Sequence, residues 1–265
     1  MFEDAIETAR HWVRPLIASR RRASGQVESS LASFVVINEA GWIVTCSHVL
    51  ADGFALAQQQ ASPQPASDPQ RVTNVSYWWG EDGITLQDMH NEPQADLLVG
   101  RLEPFPKAAA AIYPRFVDQV ARARPGALLC RLGYPLHHCN VSFEEATARF
   151  VLDASSLPQP IPNEGMLTRL ISIPATAGGR PTLFVETSTP GLRGQSGGPL
   201  FDSRGRVWGI QSRTAHFDLG FAPIASEGGR RQVEHQFLNC GMAIHASEVT
   251  SLLGRLGLRH SLAHA

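Results

Sequence analysis

The sequence has no segment that resembles a secretion signal or a membrane span. Glu3, Asp4 and Glu7 stand where a signal peptide needs a basic stretch followed by an uninterrupted apolar one. No later segment approaches the roughly 18 consecutive apolar residues that a membrane-spanning helix requires. We therefore expect a cytoplasmic protein that has no membrane partner.

Excess charge of either sign is also missing. The formal net charge is -1, so no long-range field attracts nucleic acid or an anionic membrane surface. The only dense basic cluster is Arg20 to Arg22, which we interpret as a solvated surface turn rather than a phosphate-binding patch. The charge pattern predicts no nucleic-acid partner.

Cysteine is scarce, and the four that occur show no paired spacing. They are Cys46, Cys130, Cys139 and Cys240. Reduced thiols are therefore expected rather than a disulfide framework. The chain has 265 residues, of which 43% are hydrophobic, and this is sufficient for one large domain or two small ones with substantial cores.

Short strand patterns separated by turn signals dominate the chain and predict an all-β fold. The main segments are Phe34 to Asn38, Trp42 to Thr45, Val72 to Trp79, Ile84 to Met89, Ala127 to Leu132, Leu167 to Ile173, Leu183 to Thr187, Val207 to Ser212 and Gly241 to Ile244. A connector at Pro104 to Tyr113 divides the chain into two halves, residues 1–112 and 113–265. Residues 58–70, rich in Pro, Gln and Ser, are predicted to form an exposed loop.

Helical spacing is found near the two ends of the chain. Apolar residues recur at this spacing from Phe2 to Val13, which predicts a short amphipathic helix before Pro15. At the other end, Ser247 to Leu256 predicts a closing helix with Ser247 as its N-cap.

The stretch Gly194 to Leu200, which reads Gly-Gln-Ser-Gly-Gly-Pro-Leu, carries the strongest chemical signal. A serine hydroxyl is a poor nucleophile and needs a base and donors that stabilise an oxyanion. Glycine at 194 allows its backbone N–H and that of Ser196 to point into one oxyanion hole. Gly197 and Gly198 are expected to let substrate backbone approach closely. Ser196 is thus the candidate nucleophile.

A base and an acid for this serine are found upstream. His48 lies just past the end of a predicted strand, where a base is held rigidly and yet exposed. Asp96 begins an apolar strand, where a carboxylate is costly unless it is paired, and pairing with His48 explains its position. Asp82 and Asp88 compete with Asp96 for this role.

At this point the sequence resembles the HtrA/Deg-like branch of the chymotrypsin-like serine proteases, in which the triad follows the order His, Asp, Ser. The likeness extends over Phe34 to Leu50, Asn91 to Val99, Pro125 to Pro135, Val185 to Ser212 and Gly241 to Ile244. The resemblance implies two six-stranded antiparallel β-barrels, with His48 and Asp96 on the first and Ser196 on the second. It also implies a protein or peptide substrate and no cofactor.

Three departures from the family pattern shape further expectations. Only 21 residues follow Ile244, so no PDZ domain is expected in this chain. Gln195 occupies the position where trypsins carry an acid that receives a new N-terminus, so activation by N-terminal cleavage is not expected. The stretch His216 to Cys240 is longer than its HtrA counterpart, and we hypothesise that an activating partner or ligand orders it.

The resemblance also places a specificity pocket. Pro190 is expected at its base, Ser212, Arg213 and Thr214 along its wall and Gly241 opposite, with Arg193 near the oxyanion hole. Because none of these is an acid, cleavage is predicted after small or medium apolar residues rather than after Arg or Lys.

Three rival interpretations remain. Gly194 to Gly198 also fits the nucleophile elbow of an α/β-hydrolase esterase, with Asp218 and His245 as partners. A catalytically silent binding module is the second, because fold does not guarantee activity. The third is a metal site formed by His137, His138 and Cys139 with Cys130, but neighbouring histidines on an extended chain point apart, so no metal is expected.

Overall fold

The computed structural model describes residues 1–61, 68–105, 112–117, 124–175, 178–222, 224–227, 230–233 and 236–263. Helices are few: α1 (Glu3–Arg10), α2 (Ala51–Ala61), α3 (Ala246–Arg255) and the 3₁₀ helices Ser47–Leu50 and Ala154–Ser156. The strands are β1 (Val13–Arg22), β2 (Val27–Val36), β3 (Trp42–Cys46), β4 (Val72–Trp78), β5 (Thr85–Glu92), β6 (Leu97–Glu103), β7 (Arg115–Val117), β8 (Leu128–Gly133), β9 (Val141–Glu144), β10 (Arg149–Leu152), β11 (Ile161–Ile173), β12 (Thr182–Thr187), β13 (Pro199–Phe201), β14 (Arg206–Asp218), β15 (Ile224–Glu227), β16 (Arg230–Val233), β17 (Phe237–His245) and β18 (Ser261–Ala263).

The first large sheet contains six antiparallel strands in the order β4-β1-β2-β3-β6-β5. Its centre is the predicted hairpin: β2 and β3 pair Val35 with Val44, and Gly41 adopts a φ of +79° in the turn between them. Every residue at the end of β2, from Ala32 to Val36, is buried, so both faces of this part of the strand are covered. This sheet carries His48 at the end of β3.

The second large sheet closes on itself. Its order is β13-β8-β11-β12-β17-β14, and the pairing of β13 with β14 completes a six-stranded barrel, to which β7 and β18 add at one edge. Tight curvature is achieved through irregularities in register, for example between Gln211 and Arg213 of β14. The predicted all-β, double-barrel fold with helices near the two ends is confirmed.

The two sheets share one apolar core. Phe34 and Val35 of the first sheet belong to the same buried cluster as Phe184 and Ile244 of the second. The predicted boundary between residues 112 and 113 lies in the connection between the sheets and stays a prediction, because most of that connector, residues 106–111, falls outside the described part of the chain.

Several sequence-based expectations were wrong in detail. Arg20 to Arg22 are not a turn: they lie in β1, and their guanidinium groups form ion pairs with Glu28, Asp52 and Glu145. The predicted loop at 58–70 begins too early, since α2 continues to Ala61; residues 62–67 of that loop are outside the described residues.

The stretch His216 to Cys240 is largely a two-stranded ribbon rather than an irregular loop. β14 and β17 continue past the barrel and pair Asp218 with Phe237, and β15 pairs with β16 beyond them. Local pattern missed this ribbon because the paired ends of β14 and β17, residues 216–218 and 237–239, are exposed and lack the alternation that a half-buried strand shows.

The closing helix α3 is capped by a histidine and not by Ser247. His245 is fully buried, and its Nδ1 accepts hydrogen bonds from the Ser247 backbone N–H at 3.0 Å and from Ser247 Oγ at 2.8 Å. Burial lowers the pKa of His245 from 6.5 to about 4, so the imidazole stays neutral and keeps its acceptor at neutral pH.

We expect the free energy of unfolding to decrease as the pH falls from 6.5 towards 4. In that window the unfolded chain binds a proton at His245 that the folded chain does not, because the folded pKa is depressed to about 4. Between pH 7 and pH 5 the loss should be about 2 kcal/mol, measured by urea denaturation. His245→Asn keeps a side-chain acceptor at the N-cap but cannot titrate, so its pH slope should be shallower. An unchanged slope would assign the pH dependence to other groups.

No helix in the described residues is long and apolar enough to cross a membrane. The four cysteines are free thiols, and Cys46, Cys130 and Cys240 are buried.

Candidate active site

His48 and Asp96 are brought together by the pairing of two adjacent strands. His48 lies in the 3₁₀ helix that follows β3, and Asp96 ends the turn before β6; the register pairs Cys46 with Leu97. His48 Nδ1 is 2.8 Å from Asp96 Oδ2 and 3.0 Å from Oδ1, and the His48 backbone N–H also donates to Oδ1 at 3.0 Å. The imidazole is therefore fixed by a carboxylate at one nitrogen, while its side chain is 49% exposed.

Asp96 is held as a carboxylate. Burial works to raise its pKa, but hydrogen bonds and charge from His48 and a hydrogen bond of 2.6 Å from Ser212 Oγ outweigh burial, so the pKa lies below its ordinary value. An ionised Asp96 accepts a hydrogen bond from the Nδ1–H group of His48, which leaves Nε2 unprotonated and able to act as a base.

The competing carboxylates are engaged elsewhere. Asp82 accepts a hydrogen bond of 2.7 Å from Trp78 Nε1, and Asp88 pairs with Arg101 at 2.8 Å. Of the three candidate acids, Asp96 is the one that contacts His48.

Ser196 lies across the cleft from this pair, on the connection between β12 and β13. Ser196 and His48 line one cavity of about 790 Å³ between the two sheets. In the described structure Ser196 Oγ donates to the Ser212 carbonyl oxygen at 3.2 Å, and this bond must be exchanged when the hydroxyl bonds to His48. A backbone hydrogen bond of 2.8 Å from Ser33 N–H to the Ser196 carbonyl oxygen connects this segment to the first sheet.

The turn before Ser196 has the geometry of a type II turn. Gln195 N–H donates to the Leu192 carbonyl oxygen at 3.0 Å, and Gly194, at the third position, has a φ of +98°. In this turn type the Arg193–Gly194 peptide is rotated by about 180° from its type I orientation. None of the hydrogen bonds among the described residues uses the backbone N–H of Gly194 or of Ser196. Both donors are thus available to a ligand oxygen.

Gln195 stabilises this turn from within. It is fully buried, and its Oε1 accepts a hydrogen bond of 2.9 Å from the Leu192 backbone N–H. Because the Gln195 side chain is neutral, it supports the turn through this hydrogen bond and not through an ion pair.

Gly197 and Gly198 are required by contacts within the protein, and their predicted closeness to substrate backbone stays a prediction. A Cβ at Gly197 would overlap the Ser33 carbonyl oxygen, and one at Gly198 would overlap the Leu132 carbonyl oxygen. These glycines allow the protein's own strands to approach closely, and neither contact involves the substrate side of the cleft.

A second cavity of about 440 Å³ adjoins Ser196. Five of the six predicted pocket residues line it: Pro190, Arg193, Ser212, Arg213 and Thr214. The sequence missed the polar side chains of Gln211, His216 and Asn239, which line it as well. Gly241, the sixth predicted residue, is not part of the lining.

Gly241 instead lies beneath the pocket, against a buried arginine. A Cβ there would overlap Arg131 Nη2 and would come within 2.7 Å of the Thr189 carbonyl oxygen. The position therefore requires glycine because of Arg131, a residue that no local sequence pattern marked as part of the site.

Within the part of the chain that the structure describes, the rival triad partners and the four proposed metal ligands are not brought together. His245 is the buried cap of α3, and Asp218 lies on the exposed ribbon, so neither contacts Ser196. His137 bonds to the Gln159 carbonyl oxygen at 2.9 Å. The three metal-capable groups that do meet, Cys46 with His48 and Asp96, lie within 4.8 Å of one another, but burial and the Asp96 charge raise the pKa of the Cys46 thiol well above its usual value.

Comparison with known proteins identifies the family and the fold of the chain. The family model for the trypsin-like peptidase domain matches residues 32–210. The active form of the Rv3671c protease of M. tuberculosis shares the fold with a TM-score of 0.52 at 16% identity, over 98% of this chain and 86% of that one.

The HtrA-type protease AlgW in complex with a tripeptide shares it with a TM-score of 0.52 at 20% identity. That alignment covers 97% of this chain but only 65% of AlgW. No curated protein is significantly similar to this chain in sequence. The expected similarity in fold to HtrA-type proteases is confirmed.

Proposed function

Because the chain belongs to the family of trypsin-like peptidases, we propose that it is a serine endopeptidase in which Ser196 attacks the peptide carbonyl, His48 acts as the general base and Asp96 orients His48. The observation that carries this proposal is the arrangement of the cleft. The imidazole of His48, held by the Asp96 carboxylate, lies on one wall. Ser196 lies on the other wall, beside the backbone N–H groups of Gly194 and of Ser196 itself, which make no hydrogen bond among the described residues.

Hydrolysis would proceed through an acyl-enzyme. Ser196 Oγ passes its proton to His48 Nε2 and bonds to the scissile carbonyl carbon, whose oxygen becomes an oxyanion held by the N–H groups of Gly194 and Ser196. His48 then gives that proton to the leaving amine as the C–N bond breaks. In the second step water loses a proton to His48 and displaces Ser196, which recovers the proton as it leaves.

The polypeptide substrate is proposed to bind along the cleft, with one side chain in the cavity beside Ser196. The described lining of that cavity contains no acid, which supports the predicted exclusion of Arg and Lys. The predicted preference for small or medium apolar side chains has less support, because most of the lining side chains are polar or basic. An activating partner that acts on residues 216–240 stays a prediction. Such a partner would not need to form the type II turn from Leu192 to Gln195, because the unliganded chain already has it.

The test of this function is covalent labelling with a fluorophosphonate, which reacts only with an activated serine. We expect nearly one adduct per chain, located on Ser196 by mass spectrometry, with peptide hydrolysis lost in proportion. Ser203, an exposed serine in the turn after β13, serves as the internal control and should stay unmodified. Absence of labelling at every pH tried would favour the catalytically silent binding module. Labelling with hydrolysis of esters but not of peptides would favour an esterase.

A further inference from the structure

A buried, uncompensated positive charge lies under the cavity beside Ser196. Arg131 of β8 is fully buried, and burial lowers its pKa to about 10, so it stays protonated at neutral pH. Its three hydrogen bonds go to neutral acceptors: Nε to Gln211 Oε1 at 2.6 Å, Nη1 to Thr189 Oγ1 at 3.0 Å and Nη2 to the Thr189 carbonyl oxygen at 3.0 Å. No carboxylate among the described residues forms an ion pair with it.

The contacts of Arg131 place it directly behind the pocket wall. Gln211, which accepts the Nε–H bond, lines the cavity, and Thr189 is followed immediately by the lining residues Pro190 and Gly191. The other end of the Gln211 amide faces that wall, since a Cβ at Gly191 would overlap Gln211 Nε2. Gln211 Nε2 donates to the Arg213 carbonyl oxygen at 2.9 Å and to the Met242 carbonyl oxygen at 3.2 Å, so this amide ties Arg131 to the strand that forms the pocket wall.

The exposed wall of the cavity carries charge of the same sign. Arg213 and Arg193 both line it, and the Arg213 guanidinium lies 4.7 Å from the centre of the Phe184 ring. His216 also lines it and forms a hydrogen bond of 2.6 Å with Asn239. A buried charge is costly unless a counter-charge is supplied. No carboxylate of the described residues supplies a counter-charge for Arg131. An acidic side chain of a substrate, bound in the cavity, can supply it.

We infer that the cavity beside Ser196 binds an acidic side chain, so that the enzyme cleaves after Glu or Asp. This inference rests on the proposed function and replaces the expected apolar preference at the same site. Arg131 is the positioning residue that places a positive charge behind the pocket wall, while Arg193 and Arg213 add charge on the exposed wall and His216 offers a hydrogen-bonding side chain there.

The experiment compares four peptides that differ only at the residue preceding the scissile bond, which is Glu, Gln, Leu or Arg. Enzyme concentration is set by fluorophosphonate titration, which does not depend on that residue. We expect kcat/KM for the Glu peptide to exceed that for the isosteric, neutral Gln peptide by about tenfold or more. Arg131→Met should abolish the Glu over Gln preference and retain labelling of Ser196. Arg101→Met, on an exposed arginine of β6, is the matched control and should keep the preference.

The possible outcomes distinguish failure of the acidic-pocket inference from failure of the proposed peptidase function. If the labelled enzyme cleaves the Leu or Arg peptide best, the acidic pocket is refuted and the serine peptidase stands. If nothing labels and no peptide is cleaved, the function itself fails. Should Arg131→Met lower all four rates equally, Arg131 has only a structural role and the inference falls. If that variant does not fold, Arg213→Gln with His216→Gln on the exposed wall must reduce the Glu over Gln ratio, and an unchanged ratio would overturn the inference.

Discussion

Ser196→Ala is expected to reduce kcat/KM for peptide hydrolysis by about 10⁴-fold or more and to leave the fold intact. Without Oγ no acyl-enzyme forms, and the remaining donors of Gly194 and Ser196 support only a small residual rate. The only described hydrogen bond of Ser196 Oγ is its bond of 3.2 Å to the Ser212 carbonyl oxygen, so removing the hydroxyl costs little stability. Initial rates on a peptide substrate and a thermal unfolding curve measure the two effects separately.

The matched control for this variant is Ser203→Ala, in an exposed turn of the same barrel. It should retain the activity of the unmodified enzyme. If Ser196→Ala kept more than about a hundredth of that activity, in a preparation free of host proteases, Ser196 would not be the nucleophile.

Asp96→Asn is expected to lower kcat by about 10⁴-fold at neutral pH, with a smaller effect on KM. The amide presents an N–H group to His48 Nδ1, which then becomes an acceptor and leaves the proton on Nε2, where the base is needed. Asn is the appropriate substitution because Asp96 has a φ of +54°, a conformation that Asn adopts more readily than most residues. Steady-state kinetics across the pH range provide the measurement.

Asp88→Asn tests whether this effect belongs to Asp96. Asp88 also has a positive φ, of +49°, but it pairs with Arg101 at the surface and does not contact His48. It should change kcat less than about twofold, as expected for an exposed ion pair. A loss of activity in Asp88→Asn as large as that in Asp96→Asn would reopen the choice of acid.

The local chemistry of the site was predictable from sequence because it depends on short-range requirements. Gly194 is needed where a backbone N–H must turn towards a ligand, and the structure shows the required positive φ of +98°. The hairpin before His48 has two short continuous apolar runs and a turn glycine. Both features are encoded within a few neighbouring residues.

Expectations failed where distant segments meet. Arg20 to Arg22 looked like a solvated turn, but acids from three other parts of the chain pair with them in β1. Ser247 looked like the N-cap of α3. His245 is the N-cap instead, because it is buried next to the apolar core and accepts the hydrogen bond from the Ser247 backbone N–H. In each case packing against a remote element overrode the local preference.

The sequence by itself predicted the fold class and the candidates His48 and Ser196, because each lies in a segment with its own strand or turn signal, but it offered Asp82 and Asp88 beside Asp96 as the acid. The tertiary structure alone decided which acid faces His48 and what lies beneath the pocket. Arg131 precedes Thr189 and Gln211 by 58 and 80 residues, and no local pattern links them. Barrel closure brings β8 against β11 and β13, and this places a guanidinium where the sequence suggested only an apolar strand.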